Sequence, residues 1–359
     1  MKKILQVLLV LLMVTGLTAC GTTGKSTSKL KVALLIPFRG DQSYFDTTAN
    51  GMALIKKEYS GATTTIIEMG TDQSKWENFY LDAAQGDYDI IIGGNWEATP
   101  TFEKVIAKYP AKKFINFDNG AAPLNSNTYV MFYKANELGY LVGLVAGLVT
   151  KSDLKYADKT TNVIGAIGGM EFAGINDFLY GYIQGAQAVN PDVKILIAYA
   201  NNFSDPAKGK EIALNMYKSG ADIIFHAAGG TGNGLFDAAV EANRYALGVD
   251  ADQALLFAND PAKQEKILTS GTKNVDLAIL QAIKRVVDET LPYGKLEVLG
   301  IKENGVGLAE NAIYKALPAS IRDVVESYKQ KVIKGEIVVK DALTLTADQW
   351  NAIKASVQP

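Results

Sequence analysis

The chain has 359 residues, 36 basic against 38 acidic side chains, a formal charge of −2, one cysteine and one histidine. A single cysteine cannot close an internal disulfide, and with a single histidine it cannot build a structural zinc site or a histidine-rich metal centre. The near-neutral charge speaks against a nucleic-acid binder, and the length suits two domains that each bury a core.

The first element in chain order is a leader. Lys2 and Lys3 precede an apolar run over 4–14, broken only by Gln6, and Leu17-Thr18-Ala19-Cys20 follows. Length and polarity match a secretory signal peptide, and the run is too short for a permanent membrane span. The Leu-Thr-Ala-Cys stretch resembles the bacterial lipobox, in which the cysteine is acylated and becomes the new N terminus. The expectation is a signal peptide over 1–19, then lipidated Cys20 heading a small, polar, flexible tether over 20–28. Among later segments the longest apolar run, 138–149, is interrupted by glycine and tyrosine and reads as a buried helix. The protein is therefore expected on the extracytoplasmic face of the cell membrane, anchored by lipid and not crossing the bilayer.

From residue 30 onward, short apolar runs alternate with helical patterns. Strands are predicted at 32–37, 64–68, 89–93 and 113–118, with helices at 45–59 and 99–109 between them. The alternation then repeats. Strands are predicted at 162–167, 193–199 and 222–225, and helices at 175–190, 206–219 and 234–245. The helix at 206 has Asp205 as N-cap and Pro206 in its first turn. Continuous apolar strands separated by helices mean parallel sheets covered on both faces. Two such halves predict a bilobal α/β protein whose ligand cleft lies at the carboxyl ends of the strands.

Residues just after the strands are the candidates for that cleft. Tyr44, Trp96 and Phe203 are loop aromatics that either pack locally or grip a flat ligand by stacking. Asp118 and Asp250 at strand ends either cap the next element or accept bonds from a sugar diol. The run Gly229-Gly230-Thr231-Gly232 lacks the ending of a P-loop and suits close backbone approach to a ligand. The lone histidine, His226, follows an apolar strand and reads as a satisfied core residue. No nucleophile–base arrangement and no metal-ligand spacing is present, so neither an enzyme nor a cofactor is expected.

These segments make the chain similar to the basic membrane protein (BMP) family of bacterial lipoproteins, the purine nucleoside receptor A-like substrate-binding proteins of ABC transporters. The resemblance rests on Gly168-Gly169-Met170, Asn190-Pro191-Asp192, Phe203-Ser204-Asp205-Pro206, Ala227-Ala228-Gly229-Gly230-Thr231-Gly232, Gly248-Val249-Asp250 and Lys273-Asn274-Val275-Asp276. It implies a type I periplasmic-binding-protein fold, with two doubly wound parallel-sheet lobes joined by hinge strands. In the motif Asp41-Gln42-Ser43-Tyr44, Tyr44 takes the place of the first stacking aromatic, and Phe203 takes that of the second, on the opposite lobe. Asp250 and Lys273 would hold the ribose hydroxyls, Gly230 would contact the sugar through its backbone, and Asp41 and Asp118 would bond base or sugar. Phe45 stands where the family has a base-reading Asn, and the loop Gly93-Gly94-Asn95-Trp96 departs from Gly-x-Gly-Phe, so Asn95 and Trp96 become candidate replacements.

The resemblance thus implies a protein that binds nucleosides, above all purine nucleosides, in an interlobe cleft for uptake. Its partners would be an ABC permease and ATPase, and the lipid anchor would tie it to the membrane. The alternatives are the same fold binding a pentose or other small sugar, or a surface sensor or adhesin without transport. The expected division is 29–134 plus 249–292 for the first lobe, 135–248 for the second, and 293–359 for a third crossover and C-terminal segment. Hinges are expected near 133–135, 248–250 and 291–295.

Overall fold

A computed structural model describes residues 29–359. The signal peptide, Cys20 and the tether expected before them lie outside the described residues.

The strands form two six-stranded sheets. The first contains β1 (Lys31–Ile36), β2 (Thr63–Glu68), β3 (Ile90–Gly94), β4 (Lys113–Phe117) and β5 (Thr128–Tyr133). The second contains β6 (Val163–Gly168), β7 (Lys194–Tyr199), β8 (Ala221–Ala227), β9 (Tyr245–Asp250) and β10 (Ile267–Lys273). Each sheet receives one late strand: β11 (Leu296–Leu299) pairs parallel with β5, and β12 (Val306–Leu308) pairs antiparallel with β10. Strand order is β2-β1-β3-β4-β5-β11 in one lobe and β7-β6-β8-β9-β10-β12 in the other, so the two halves repeat one doubly wound plan. Residues 32–36, all of β3 and all of β8 are buried, as strands covered on both faces must be.

Local chemistry places the helices where the pattern put them. Asp205 accepts from the Lys208 backbone N–H at 3.0 Å, and Pro206 opens the helix Pro206–Lys218. The expected helix over 234–245 is shorter, ending at Ala242. Asn243 takes a left-handed conformation there (φ 51°), and the chain turns into β9.

The helices Ala135–Val149 and Ala173–Val189 pack more tightly than any side chain larger than hydrogen allows. A Cβ on Gly139 would stand 2.0 Å from the Phe178 carbonyl oxygen, and one on Gly143 would stand 2.2 Å from that of Tyr182. Gly181 and Gly185 meet the carbonyls of Asn136 and Tyr140 in the same way, both at 2.0 Å. The glycines that interrupt the apolar run 138–149 are therefore the packing surface of its helix.

The lobe boundaries differ from expectation. The first crossing runs through Lys134, between β5 and the helix Ala135–Val149. The segment 249–292 was expected in the first lobe, yet β9 and β10 belong to the second sheet. The second crossing therefore falls at Asn274 and not at 248–250. Only the helix Val275–Val287 returns to the first lobe, where Ile279 lies against Gly51 and Asn50 bonds Asp276 at 2.8 Å. The third crossing runs through 300–305, between β11 and β12, and not through 291–295. Hydrogen bonds join the crossings side by side, from Lys134 N to Leu299 O (3.1 Å) and from Asn274 N to Gly305 O (2.9 Å). The C-terminal helices cover the second lobe, with Trp350 Nε1 donating to the Tyr199 hydroxyl at 2.9 Å. Among the described residues no helix is long and apolar enough to cross a membrane.

Candidate functional site

The carboxyl ends of both sheets face one cavity of about 420 Å³ between the lobes. The first lobe contributes Asp41, Tyr44, Asn95, Trp96, Asp118 and Tyr133 to its wall. The second contributes Phe172, Asn202, Phe203, Gly229, Asp250 and Lys273. Asn95, Asp118 and Asp250 are left-handed at φ 77°, 57° and 66°. Each strand has to turn abruptly into the cleft at that point, and Asn and Asp are the side-chain-bearing residues that best tolerate this backbone. Their residue type thus has a conformational cause as well as a chemical one.

A buried charged cluster crosses the cleft. Lys273 Nζ donates to Asp118 Oδ2 at 2.6 Å, and the Tyr44 hydroxyl donates to the same oxygen at 3.0 Å. Asp250 Oδ2 accepts from Ser43 Oγ at 2.5 Å. The Lys273 ammonium lies 4.9 Å from the Tyr44 ring centroid and 5.3 Å from that of Tyr133. Burial raises the Asp250 carboxyl to about 6, against the opposing pull of Lys273 and the Ser43 bond. Burial, then the neighbouring Asp118 charge, pushes the Tyr44 phenol well above its ordinary value. Asp118 pairs with the Lys273 ammonium while Asp250 feels only its charge, an arrangement able to accept and donate several hydrogen bonds at once.

The aromatic candidates also reach the cavity, Tyr44 from one lobe and Phe203 from the other. Phe203 lies directly on Gly169, where a Cβ would stand 2.2 Å from the ring. Tyr44 is braced edge-on by Phe45, their centroids 5.2 Å apart. The departure at Phe45 thus supplies a ring that supports Tyr44.

Three expected site residues have other occupations. The Asp41 carboxylate accepts from the backbone N–H groups of Ser43, Phe45 and Asp46 at 3.0, 2.9 and 3.1 Å. It caps the helix Tyr44–Glu58 and so aims Tyr44. Gly230 is buried, and Gly229 lines the cavity in its place. A Cβ on Gly230 would lie 3.7 Å from Asp41 Cα, so this glycine lies where the lobes approach each other. Trp96 lines the cavity while its indole crosses to the second lobe, 5.8 Å from the Phe172 ring and close over Gly174. Lobe-to-lobe bonds complete the closed arrangement, from Asn233 Nδ2 to Asp41 O (3.1 Å) and from Gln253 Nε2 to Gln42 O (3.0 Å).

His226 is fully buried with Nε2 2.9 Å from Gln253 Oε1, and burial lowers it to about 4. It stays neutral in the core, but it is not fully satisfied as expected, because Nδ1 has no hydrogen-bond partner among the described residues. The residues missed were Ser43, Tyr133, Phe172 and Asp177. Ser43 sat inside a quoted motif, and Tyr133 ends a strand that its polar opening concealed. Asp177, in the second turn of its helix, accepts from the Asn136 and Ala342 backbones at 2.9 and 2.8 Å, and nothing local marks it.

Comparison with known proteins agrees with this architecture. A family model described as ABC transporter substrate-binding protein PnrA-like matches residues 29–342. The chain is 33% identical to the CD4+ T-cell-stimulating antigen of Listeria monocytogenes, over 90% of this chain and 94% of that one. It is 31% identical to the ABC transporter nucleoside-binding protein BmpA of Lactococcus lactis, over 89% and 92%. The crystal structure of an ABC transporter solute-binding protein from Aeropyrum pernix K1 superposes with a TM-score of 0.77 at 26% identity, covering 91% of this chain and 97% of that one. With a family match along almost every described residue, relatives of like length and a shared two-lobed fold, the chain belongs to the PnrA-like family of ABC transporter substrate-binding proteins.

Proposed function

We propose that this protein captures nucleosides, purine nucleosides first, in the interlobe cavity and releases them unchanged to an ABC permease with its ATPase. One observation carries the reading: the Asp118–Lys273 ion pair and Asp250 stand at the wall of a cavity that Tyr44 and Phe203 reach from opposite lobes. The carboxylates accept from the vicinal hydroxyls of a ribose, and the ammonium donates to the same oxygens. The rings cover a flat base, each stack contributing about 0.5–1.5 kcal/mol beyond area burial. A purine offers them more face than a pyrimidine or a free sugar. The cavity volume falls within the roughly 300–1,000 Å³ usual for small-molecule sites. The nucleoside-binding name of the Lactococcus relative supports the same ligand class. Closure about the three crossings excludes water from a site that both lobes share, and no covalent chemistry is involved.

Acylated Cys20 holds the protein at the extracytoplasmic membrane face, beside its permease. Each buried methylene adds about 0.8 kcal/mol, so two or more acyl chains anchor it stably. Changing Cys20 to Ala should release the protein from the membrane fraction.

Calorimetric titration with inosine, guanosine, adenosine, uridine, cytidine and ribose tests the ligand. Nucleosides should bind and ribose alone should not. Binding of a pentose with no nucleoside binding refutes the base-sandwich reading. Steady release of free base from inosine refutes a purely binding role.

A further inference from the structure

We infer that Asn95 makes the site selective for nucleosides whose base carries a carbonyl, such as a 6-oxopurine, over the 6-amino base of adenosine. This rests on the nucleoside reading above. Asn95 lines the cavity at the end of β3 and is 6% exposed. Its Oδ1 accepts from the backbone N–H groups of Glu97 and Ala98 at 2.9 and 3.0 Å. Those two donors decide which way the amide faces, because a flipped amide would set its NH₂ against two N–H groups. The Nδ2 donor is then left buried with no hydrogen-bond partner among the described residues. A buried donor without an acceptor is costly, and at a cavity wall the missing acceptor is what a ligand supplies.

Sheet order says which part of the ligand arrives there. Asp118 follows β4, which lies next to β5 and the hinge; β3 is one strand further out. With the ribose on Asp118, Lys273 and Asp250, the base extends outward along the wall toward Asn95. A base carbonyl presents two lone pairs to the amide. An exocyclic amine presents a donor to a donor. The neighbouring groups reinforce this, because Asp118 is already engaged by Lys273 and Tyr44, and Asp41 by three backbone N–H groups. Two donors on this wall still lack an acceptor, Asn95 Nδ2 and the Tyr133 hydroxyl, and Asn95 is the one on the β3 side toward which the base extends.

The test compares inosine with adenosine, which differ at position 6, by calorimetry on the wild type and two variants. Asn95→Asp keeps an acceptor for both backbone N–H groups and turns the free donor into an acceptor. Asn95→Gly removes the side chain where the backbone φ of 77° suits glycine. The wild type should prefer inosine by roughly tenfold to a hundredfold, the range expected for leaving a buried polar group unpaired. Asn95→Asp should reverse that order, and Asn95→Gly should bring the ratio near one. Should the Asp variant fail to fold, the Gly variant decides alone. A wild type that binds both nucleosides with a ratio neither variant moves overturns the selectivity assignment and leaves Asn95 a helix-capping residue. A wild type that binds neither nucleoside overturns the nucleoside reading and this assignment with it.

Discussion

Asp250→Asn should stabilise the protein and abolish ligand binding at the same time. The Asp250 carboxyl is 7% exposed, and folding raises it from the ordinary 3.8 to about 6. That displacement disfavours the charged form by about 3 kcal/mol, since each pKa unit is worth about 1.36 kcal/mol. Between pH 4 and 6 the folded chain keeps a proton that the unfolded chain has released. Stability is therefore lost as pH rises through this window, and the penalty is complete above it. Asparagine is nearly isosteric, still accepts from Ser43, and carries no charge to desolvate. Urea unfolding at pH 4, 5, 6, 7 and 8 should show the variant ahead of the wild type by up to about 3 kcal/mol at pH 7 to 8, converging toward pH 4. His226 titrates in an overlapping range but contributes to both proteins alike, so the difference isolates Asp250. Calorimetry on the same samples should show nucleoside binding lost. A stability difference that is negative, or positive but independent of pH, would refute the claim that Asp250 is a strained, desolvated carboxylate held for ligand.

Other outcomes follow from separate parts of the molecule. The single histidine allows a clean NMR titration: His226 should keep a neutral signal from pH 8 to 5.5 and titrate near 4. Because its folded pKa lies below the unfolded value of about 6.5, it should withdraw stability as pH falls through that interval; a midpoint near 6.5 would contradict its burial. Gly143→Ala places a methyl group 2.2 Å from the Tyr182 carbonyl, so the paired helices must separate. A loss of about 1–3 kcal/mol or more is expected by thermal or urea unfolding, and a neutral effect would deny the close approach. Trp96→Ala removes the indole that spans the cleft to Phe172 and Gly174. Stopped-flow measurement should show dissociation accelerated by about tenfold with association little changed, because the partly exposed indole bridges the lobes only when they are closed; an unchanged off-rate would show that this contact does not hold the cleft shut.

Particular residues show how far the sequence could be read. Apolar runs such as 32–36 and the Asp205-Pro206 helix start are local signals, and both appear as expected. Tyr44, Asp118, Phe203, Asp250 and Lys273, named from strand ends and motif likeness, all reach one cavity. Asp41 and Asp118 were indistinguishable as loop carboxylates. One meets three backbone N–H groups of the helix that begins beside it, and the other meets an ammonium 155 residues away. The orphan donor of Asn95 was equally invisible, because it follows from which neighbours Oδ1 finds.

The amino-acid order by itself determined the α/β class, the two repeated halves and the placement of polar groups at strand ends. These follow from propensity, periodicity and capping over a few residues. Only the tertiary structure decided that β9 and β10 join the second sheet, that the crossings fall at 134, 274 and 300–305, and that Trp96 reaches across the cleft. A buried parallel strand has the same composition whichever sheet it enters. Its neighbours are chosen by contacts between residues far apart in the chain, and those contacts leave no mark on the strand's own sequence.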